Sequence, residues 1–294
     1  MKPRIAITAG DPAGIGPEIA AKAADDWRVR AVCEPVIYDT TPPVAVPMGE
    51  VSPQAGRAAF EAIVRAVEDA KRGAVQAVAT APVNKAAFAA AGLGWKGHTD
   101  LLAHLCGVSD VAMMFHSPKL RVVLATVHVP LRDVPRLITR DLILGTLHIT
   151  AQELPYFGVT GTPRLAVAGL NPHAGEGGLM GHEEIEVIVP AIRDARHDGL
   201  NVTGPVPADT VFVRAARGEF DCVLACYHDQ GLTPIKLLAF GTAVNVTLGL
   251  PIVRTSPDHG TAFDIAGKGI ADPGSMVESI LLAAELAKRM ESTR

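Results

Sequence analysis

The stretch ACYHDQGLTPIKLLAFGTAVNVTLGLPIVRTSPDHGTAFDIAGKGIAD, residues 225–272, decides the fold class. It begins inside an apolar run, residues 222–226, that predicts a buried strand, and His228 comes just beyond the carboxyl end of that run. In open α/β sheets, ligands bind beyond the carboxyl ends of the strands. We therefore expect an α/β protein with a functional site at this edge of the sheet.

Two other apolar runs show the same arrangement of strand and histidine. Residues 121–126 are followed by His128, and residues 164–170 are followed by a loop that carries His173. Parallel strands bring their carboxyl ends to one edge, and imidazole is the commonest metal ligand. Three protein ligands that leave a position open are typical of a catalytic metal site. The pattern predicts such a site, and three unrelated loop histidines are the alternative.

Cationic and hydrogen-bonding side chains in the same stretch can hold an anionic substrate. Arg254 suits bidentate contact with a carboxylate or phosphate, and Lys236 and Asn245 lie nearby in the sequence. A glycine-flanked loop, residues 92–100, offers His98 and Thr99 as further donors. Taken singly, each of these residues is more often an ordinary surface residue. Their clustering favours a site for an anion.

Two glycine-rich segments are candidates for binding a cofactor. In residues 258–273, small residues let the backbone approach a flat or phosphorylated ligand, and Asp264 or Asp272 can accept from a ribose hydroxyl. The alternative is a plain turn before the last helix. In GDPAGIGPE, residues 10–18, the glycines are spaced G-x3-G-x-G and not G-x-G-x-x-G, so we interpret that segment as a structural turn.

Composition limits the class of protein. A chain of 294 residues with 48% hydrophobic and 20% charged residues has the length for a large core and two domains. The net charge of −4 argues against nucleic-acid binding, and no apolar run is long enough to cross a membrane. Four cysteines are too sparse for a disulfide framework, and the N-terminus does not have the pattern of a secretory signal, so we expect a cytoplasmic protein.

Local signals place several helix ends. Ser52 with Pro53 and Thr139 are predicted N-caps, and Pro17 is predicted in a first helical turn. Ser275 and Glu278 form a predicted capping box. Residues 183–196 are expected to form a helix with a kink at Pro190, and residues 204–210 a loop that carries Asp209.

Seven motifs together resemble the 4-hydroxythreonine-4-phosphate dehydrogenase family of pyridoxal phosphate biosynthesis and its close relatives. They are GDPAGIGPE, TAPVNK, GHTD, NPHAGEGG, GPVPADT, YHDQG and NVTLGLPIVRTSPDHGTA, and they occur in the order of that family. The tail HGTAFDIAGKGIADP is similar to the cofactor loop of isocitrate and isopropylmalate dehydrogenases. The resemblance implies a two-domain α/β/α fold, with the active site in the interdomain cleft at a homodimer interface. We expect one domain from residues 1–127 plus 250–294 and the other from residues 128–249.

The resemblance also implies roles for individual residues. The metal ligands are His128, His173 and His228, one of them from the partner subunit, and the ion is Zn, Mg or Co. The substrate contacts are His98, Thr99, Lys236, Asn245 and Arg254. NAD, with NADP as the alternative, is expected on His259, Gly260, Thr261, Ala262, Asp264, Ile265 and Asp272. Asp209 and Lys85 are both candidates for the general base, and the sequence does not choose between them.

The implied reaction is the oxidation of 4-phosphohydroxy-L-threonine to a 2-amino-3-oxo acid phosphate, which decarboxylates to 3-amino-2-oxopropyl phosphate. The alternative is the same chemistry on threonate or erythronate 4-phosphate, or on a cyclohexadiene cis-diol dicarboxylate. Two other classes of protein are less consistent with these motifs. A three-histidine metal hydrolase gives the glycine-rich tail no role, and a binding protein without turnover gives the ligand set no role. The chain departs from the family pattern in GHTD, where GHTE is more usual, and in a short segment between Tyr38 and Ser52.

Overall fold

The computed structural model describes residues 2–40, 45–95 and 97–293. Its strands are β1 (Arg4–Thr8), β2 (Glu34–Tyr38), β3 (Ala77–Thr80), β4 (Ala112–His116), β5 (Arg121–Leu124), β6 (Arg164–Ala168), β7 (Asn201–Val206), β8 (Cys222–Ala225), β9 (Val244–Leu248) and β10 (Val253–Ser256). Its α-helices are α1 (Gly16–Asp25), α2 (Trp27–Val32), α3 (Pro53–Lys71), α4 (Lys85–Ala90), α5 (His98–Cys106), α6 (Val134–Leu137), α7 (Arg140–Glu153), α8 (Val189–His197), α9 (Ala208–Ala216), α10 (His228–Ala239) and α11 (Gly274–Thr293).

The chain divides into two compact units. The first contains Met1–Ser109 and Gly241–Arg294, and the second contains Asp110–Phe240. The sequence placed the boundaries at residues 127/128 and 249/250 instead. Residues 110–127 go with the second unit because β4 pairs with β5, and residues 241–249 go with the first because β9 pairs with β10.

The first unit is built on a mostly parallel sheet. β1 pairs in parallel with β2 and β3, β10 is parallel to β3, and β9 is antiparallel to β10. β1 and β3 are buried along nearly their whole length, as expected for parallel strands covered on both faces. Fully buried Ile5, Ile7, Ile63 and Phe88 form part of the core. The carboxyl ends of β1, β3 and β10 therefore lie along one edge.

The strands of the second unit are also mostly parallel. β5, β8, β6 and β7 are parallel neighbours in that order, and β4 is antiparallel to β5. Met114, Ile143, Leu147 and Leu165 are fully buried there. The neighbouring order β5, β8, β6 brings together the ends of the three strands that precede His128, His228 and His173, as the sequence pattern predicted.

Most helix starts agree with the sequence signals, and one does not. The side chain of Ser52 accepts from the backbone N–H of Ala55, and that of Thr139 accepts from Leu142, so both predicted N-caps are confirmed. The predicted capping box of Ser275 is wrong, because this buried hydroxyl has no hydrogen-bond partner among the residues the structure describes. Asp272 accepts from the backbone N–H of Gly274 at 2.8 Å instead.

Two segments of the second unit differ from expectation. The predicted loop at 204–210 is divided between β7 and α9, because an edge strand tolerates a proline such as Pro205. The predicted helix at 183–196 begins with a π-helical turn, Glu184–Ile188, and continues as α8 with Pro190 in its first turn. The irregularity therefore precedes the proline, where Pro190 cannot donate a backbone hydrogen bond.

The short segment between Tyr38 and Ser52 is described in part. Residues 41–44 lie outside the described residues. The backbone N–H of Gly49 donates to Ala13 O at 2.7 Å, which fixes the rest of the segment to the turn before α1. Of the helices in the described ranges, none combines the length and the apolar character needed to cross a membrane.

Candidate active site

A buried cation lies in the first unit, with its side chain beside the carboxyl end of β3. Arg254, on β10, is 2% exposed. Its guanidinium donates to Thr80 Oγ1 at 2.8 and 3.2 Å and to Thr247 Oγ1 at 3.0 Å. These acceptors are neutral hydroxyls, and burial lowers the pKa of Arg254 to about 9. The guanidinium is thus held in place by groups that do not balance its charge.

Asn245 and His98, also in the first unit, each have a buried polar side-chain atom. In the antiparallel pair of β9 and β10, Asn245 lies opposite Ser256, which places Asn245 on the same sheet face as Arg254. Asn245 Oδ1 and His98 Nε2 are both buried, and neither has a hydrogen-bond partner among the residues the structure describes. Burial, and then the charge of Arg254, lower the pKa of His98 well below its ordinary value, so this imidazole is neutral.

His98 and Thr99 lie in the first turn of a helix. The sequence placed them in a loop, but α5 begins at His98 directly after Gly97. The first backbone N–H groups of a helix have no intrahelical acceptor and bind anions readily. The helix start, neutral His98 and the nearby charge of Arg254 together form an environment that favours a phosphate or carboxylate.

Lys85 approaches this segment from α4. Asn84 caps that helix by accepting from the backbone N–H of Ala87 at 3.0 Å. The exposed side chain of Lys85 brings its Cε to 3.6 Å from the position a β-carbon would take at Gly97. The strand end that the sequence identified therefore carries Lys85 toward the predicted substrate contacts. Asp209, the other candidate base, is exposed in the first turn of α9 in the second unit.

The glycine-rich segment at 259–272 is a loop that packs on the turn before α1. The N–H of Ile15 donates to Thr261 O at 3.0 Å. A β-carbon at Gly14 would lie 2.9 Å from both Thr261 Cβ and Thr261 O, so only glycine fits at this contact. The two glycine-rich segments, at residues 10–18 and 258–273, therefore pack together as one structure.

The predicted cofactor contacts are distributed along this loop. His259 is exposed, with Nδ1 3.0 Å from Gly260 O, and Ala262 has a left-handed backbone with φ of 41°. Asp264 and Ile265 belong to a short 3₁₀ turn, in which Asp264 is exposed. Asp272 is engaged at the start of α11. The loop presents backbone and small side chains to solvent, which suits an extended ligand.

His128 and His228 lie together in the second unit. Their ring centroids are 5.4 Å apart. His228 Nδ1 lies 2.7 Å from Asp229 Oδ1, and His173 Nδ1 lies 2.8 Å from Glu176 Oε2. A neutral imidazole that donates Nδ1–H to a carboxylate has its Nε2 lone pair available for a metal. The chemistry of these donors therefore fits a divalent ion.

His173 is not brought to the other two histidines within one chain. Within the described ranges, no three His, Cys, Asp or Glu side chains are close enough to hold an ion. His173 lies in a run of left-handed residues, from φ of 52° at His173 to 64° at Gly177. Lys236, the remaining predicted substrate contact, is on α10, which begins at His228.

Sequence reasoning missed several polar residues around these groups. Thr80 and Thr247 hold Arg254, and Asp11 is a buried carboxyl, 1% exposed, three residues after the end of β1. Strand alternation was a usable signal for Thr247, because it lies two residues after Asn245 and so on the same face. No signal in a single sequence shows that Asp11 is buried.

Comparisons with known proteins agree with this architecture. The family model described as pyridoxal phosphate biosynthetic protein PdxA matches residues 14–283. A 4-hydroxythreonine-4-phosphate dehydrogenase of Ruegeria sp. is 46% identical and is aligned over 97% of each chain. A D-threonate 4-phosphate dehydrogenase of Cupriavidus necator is 43% identical over 98% of each chain. The crystal structure of a 4-hydroxythreonine-4-phosphate dehydrogenase from Klebsiella pneumoniae is 42% identical, with a TM-score of 0.88 over 98% of each chain.

These likenesses, with the α/β fold, define the class of protein. The chain is an oxidoreductase, a dehydrogenase that acts on a CH–OH group. It belongs to the family of the pyridoxal phosphate biosynthetic protein PdxA. The predicted resemblance is confirmed. The predicted α/β fold class is also confirmed, since isocitrate dehydrogenase from Methylococcus capsulatus shares the fold at 16% identity and a TM-score of 0.53.

Proposed function

We propose that this chain oxidises 4-phosphohydroxy-L-threonine with NAD and a divalent metal ion, and that the 2-amino-3-oxo acid phosphate decarboxylates to 3-amino-2-oxopropyl phosphate. The observation that carries the proposal is Arg254, a buried cation whose hydrogen bonds go to neutral hydroxyls. An anionic substrate would supply the negative charge that these described hydroxyl partners do not. The motifs TAPVNK, GHTD and NVTLGLPIVRTSPDHGTA, which contain Thr80, His98 and Asn245 respectively, support this assignment.

In this proposal the substrate's phosphate and carboxylate are held by five residues. Arg254 binds one anionic group bidentately, and the first turn of α5 donates backbone N–H groups beside His98 and Thr99. Asn245 provides an amide, and Lys236 a second cation. Neutral His98 can donate or accept, according to its tautomer. The role of these residues is to hold the substrate so that its reacting C–H bond is correctly oriented, which lowers the entropic part of the barrier.

The histidines His128, His173 and His228 would hold the metal. A divalent ion there would supply Lewis-acid chemistry to the substrate's hydroxyl oxygen. Imidazole ligands suit zinc and cobalt better than magnesium. Asp229 and Glu176 orient the rings of His228 and His173 through their Nδ1 atoms.

The loop at 259–272 would hold the nicotinamide cofactor. NAD would supply the hydride acceptor. The carbonyl of Thr261 anchors the loop on Ile15. Asp264 or Asp272 would accept from a ribose hydroxyl, and its negative charge would then lie close to the additional phosphate of NADP. Charge repulsion there favours NAD over NADP.

The chain's own residues must also take up one proton. Oxidation moves the hydride from the alcohol carbon to the cofactor and the hydroxyl proton to a base, either Lys85 or Asp209. Lys85 has the support of its approach to Gly97 beside His98. Loss of carbon dioxide then leaves the electron pair on the ketone as an enolate, which is protonated in turn.

We further propose that the protein works as a homodimer with shared sites. Several large apolar side chains of the second unit are exposed, including Leu179 and Leu237 at 86% and Phe240 at 82%. Exposed apolar surface of this kind is typical of an interface. A partner subunit would also supply the third histidine that one chain does not bring to the other two.

The second candidate substrate is D-threonate 4-phosphate, which the 43% identical relative from Cupriavidus necator favours by its name. The two candidates share a phosphate and a carboxylate and differ in an amino group against a hydroxyl. Comparison of kcat/KM for the two at equal NAD and metal concentrations decides between them. Faster turnover of the sugar acid would replace the first substrate and leave the roles of Arg254 and the histidines unchanged.

A further inference from the structure

The three loops that carry histidines are connected by buried hydrogen bonds, and Cys226 lies at their centre. Cys226 is 0% exposed and comes two residues before His228. Its carbonyl accepts from the backbone N–H of Thr126 at 3.2 Å and from the Thr126 hydroxyl at 2.8 Å. Thr126 comes two residues before His128. These two bonds join the end of β5 to the end of β8, just before both strands lead into histidine loops.

Gln230 makes the corresponding connection to the third loop. Its side chain is in the first turn of α10 and the residue is 9% exposed. Its Oε1 accepts from the backbone N–H of Cys226 at 2.6 Å, and its Nε2 donates to Gly169 O at 2.7 Å. Gly169 directly follows β6, in the segment that leads to His173. One amide therefore bridges the ends of β8 and β6.

The position of Gln230 is fixed by its neighbour Gly231. A β-carbon at Gly231 would lie 2.6 Å from Leu124 Cδ2 and 2.8 Å from Val122 Cγ1, so α10 rests directly on β5. This close contact holds the first turn of α10 over the strand ends. Only a side chain with the length of glutamine, and with both an acceptor and a donor, makes the two bonds.

We propose that Gln230 is a positioning residue that sets the spacing of the three histidine loops. The backbone hydrogen bonds between β6 and β8 stop where these strands end. Beyond that point the side chain of Gln230 connects the two segments instead. The inference rests on the proposed function, because it assigns Gln230 a role only if the histidines hold a metal. Removal of the amide should weaken metal binding without unfolding the second unit.

The test uses full-length protein and Co²⁺, whose visible absorption reports both affinity and coordination geometry. Gln230→Met keeps the length of the side chain and loses both hydrogen bonds. Gln76→Met is the matched control, since Gln76 also accepts one backbone N–H, from Arg4 at 2.8 Å, and donates to one carbonyl, Gly73 O at 3.1 Å, but in the first unit. His228→Ala shows how the Co²⁺ absorption changes when one metal ligand is lost.

We expect Gln230→Met to bind Co²⁺ about 10-fold more weakly and with an altered absorption spectrum, since partners that orient metal ligands contribute about 10- to 100-fold in affinity. Gln76→Met should bind as the wild type does. A purely structural role would lower the melting temperature of Gln230→Met and leave its Co²⁺ affinity and spectrum unchanged, and that result would overturn the inference.

Two other outcomes are also decisive. If Gln230→Met does not fold, Thr126→Val is measured, which loses only the 2.8 Å hydroxyl bond. A changed Co²⁺ spectrum in that variant supports positioning by this network, and an unchanged one overturns it. If neither the wild type nor His228→Ala binds Co²⁺, the proposed metal site is wrong, and the proposed role of Gln230 is wrong with it.

Discussion

Arg254 donates two hydrogen bonds to the hydroxyl of Thr80, one from Nη2 at 2.8 Å and one from Nε at 3.2 Å. A buried arginine usually pairs with a carboxylate, because an unpaired charge is costly to remove from water. Here the bidentate edge of the guanidinium is aligned by a neutral group. The arrangement places a positive charge beside the carboxyl end of β3, and in the proposed function a phosphorylated substrate would provide the counterion.

Replacement of Arg254 should separate binding from stability. We expect Arg254→Met to raise the Kd of a phosphorylated substrate about 100-fold, about 3 kcal/mol, because the anion loses its buried partner. The melting temperature without substrate should be equal to that of the wild type or higher, since an uncompensated buried charge is removed. Arg254→Lys keeps a charge but not the planar fork, so its affinity should lie between the two. Calorimetric titration and thermal melting measure both effects. A variant that melts earlier and binds normally would contradict this role.

The contact between Gly14 and Thr261 should control cofactor binding. A methyl group at Gly14 would lie 2.9 Å from Thr261 Cβ, so Gly14→Ala should displace the loop at 259–272. We expect the Kd for NADH to rise about 10-fold, since overpacking costs about 1–3 kcal/mol. Gly145→Ala, in α7, is the control because no atom lies within 4 Å of its added methyl group. Quenching of NADH fluorescence reports Kd directly. If Gly14→Ala and Gly145→Ala bind NADH with equal affinity, the loop at 259–272 is not part of the cofactor site.

Asp11 gives a pH-dependent prediction. Burial raises the pKa of Asp11 above its ordinary value of 3.8, so the folded state holds this proton more tightly than the unfolded state. The stability that Asp11 contributes is therefore full below pH 3.8 and is lost as the pH rises through the higher folded value. Asp11→Asn should melt at a higher temperature than the wild type at neutral pH, and the difference should shrink toward pH 4.

Asp26 provides a control of opposite sign for Asp11. Hydrogen bonds from Arg28 lower the pKa of Asp26, so its contribution is present at neutral pH and is lost as the pH falls. Asp26→Asn should therefore reduce the melting temperature most at neutral pH. Melting curves of both variants from pH 4 to pH 7 test the pair. If the melting temperatures of the two variants change with pH in the same direction, titration of the Asp11 carboxyl does not cause the effect.

Mixed dimers test whether the histidines come from two subunits. If two of the three ligands come from one subunit and one from its partner, a dimer of two different inactive variants has one intact site only when both mutations fall in the other site. This happens when a site takes the two mutated positions from different subunits. Two of the three pairings among His128→Ala, His173→Ala and His228→Ala should therefore recover activity on co-expression. Recovery should reach about one quarter of the wild-type activity, because about half of the dimers are mixed and each has one intact site. Recovery in none of the pairings would mean that each site draws its ligands from one chain.

Short-range signals predicted much of the fold. Ser52 and Thr139 cap helices because a hydroxyl beside free N–H groups is a local interaction that needs no tertiary information. The strands before His128, His173 and His228 were predictable for the same reason, since a short apolar run must be buried. The capping box at Ser275 failed because Asp272, three residues earlier, accepts from the backbone at the start of α11.

What the sequence did not predict depends on contacts between distant segments. The burial of Arg254 is set by Thr80, 174 positions away in the chain. The glycines around His98 predicted a loop. In the structure His98 is instead the first residue of α5. Gln230 is separated from Gly169 by 61 positions, so no local pattern connects it to the loop of His173.

The most direct measurement is NADH formation from 4-phosphohydroxy-L-threonine by wild-type protein, first as purified, then after treatment with a chelator, and then after a divalent ion is added back. We predict turnover that the chelator abolishes and that zinc or cobalt restores, with no recovery in His228→Ala. Full turnover after the metal is removed, or turnover that does not require a nicotinamide cofactor, would contradict the proposed function.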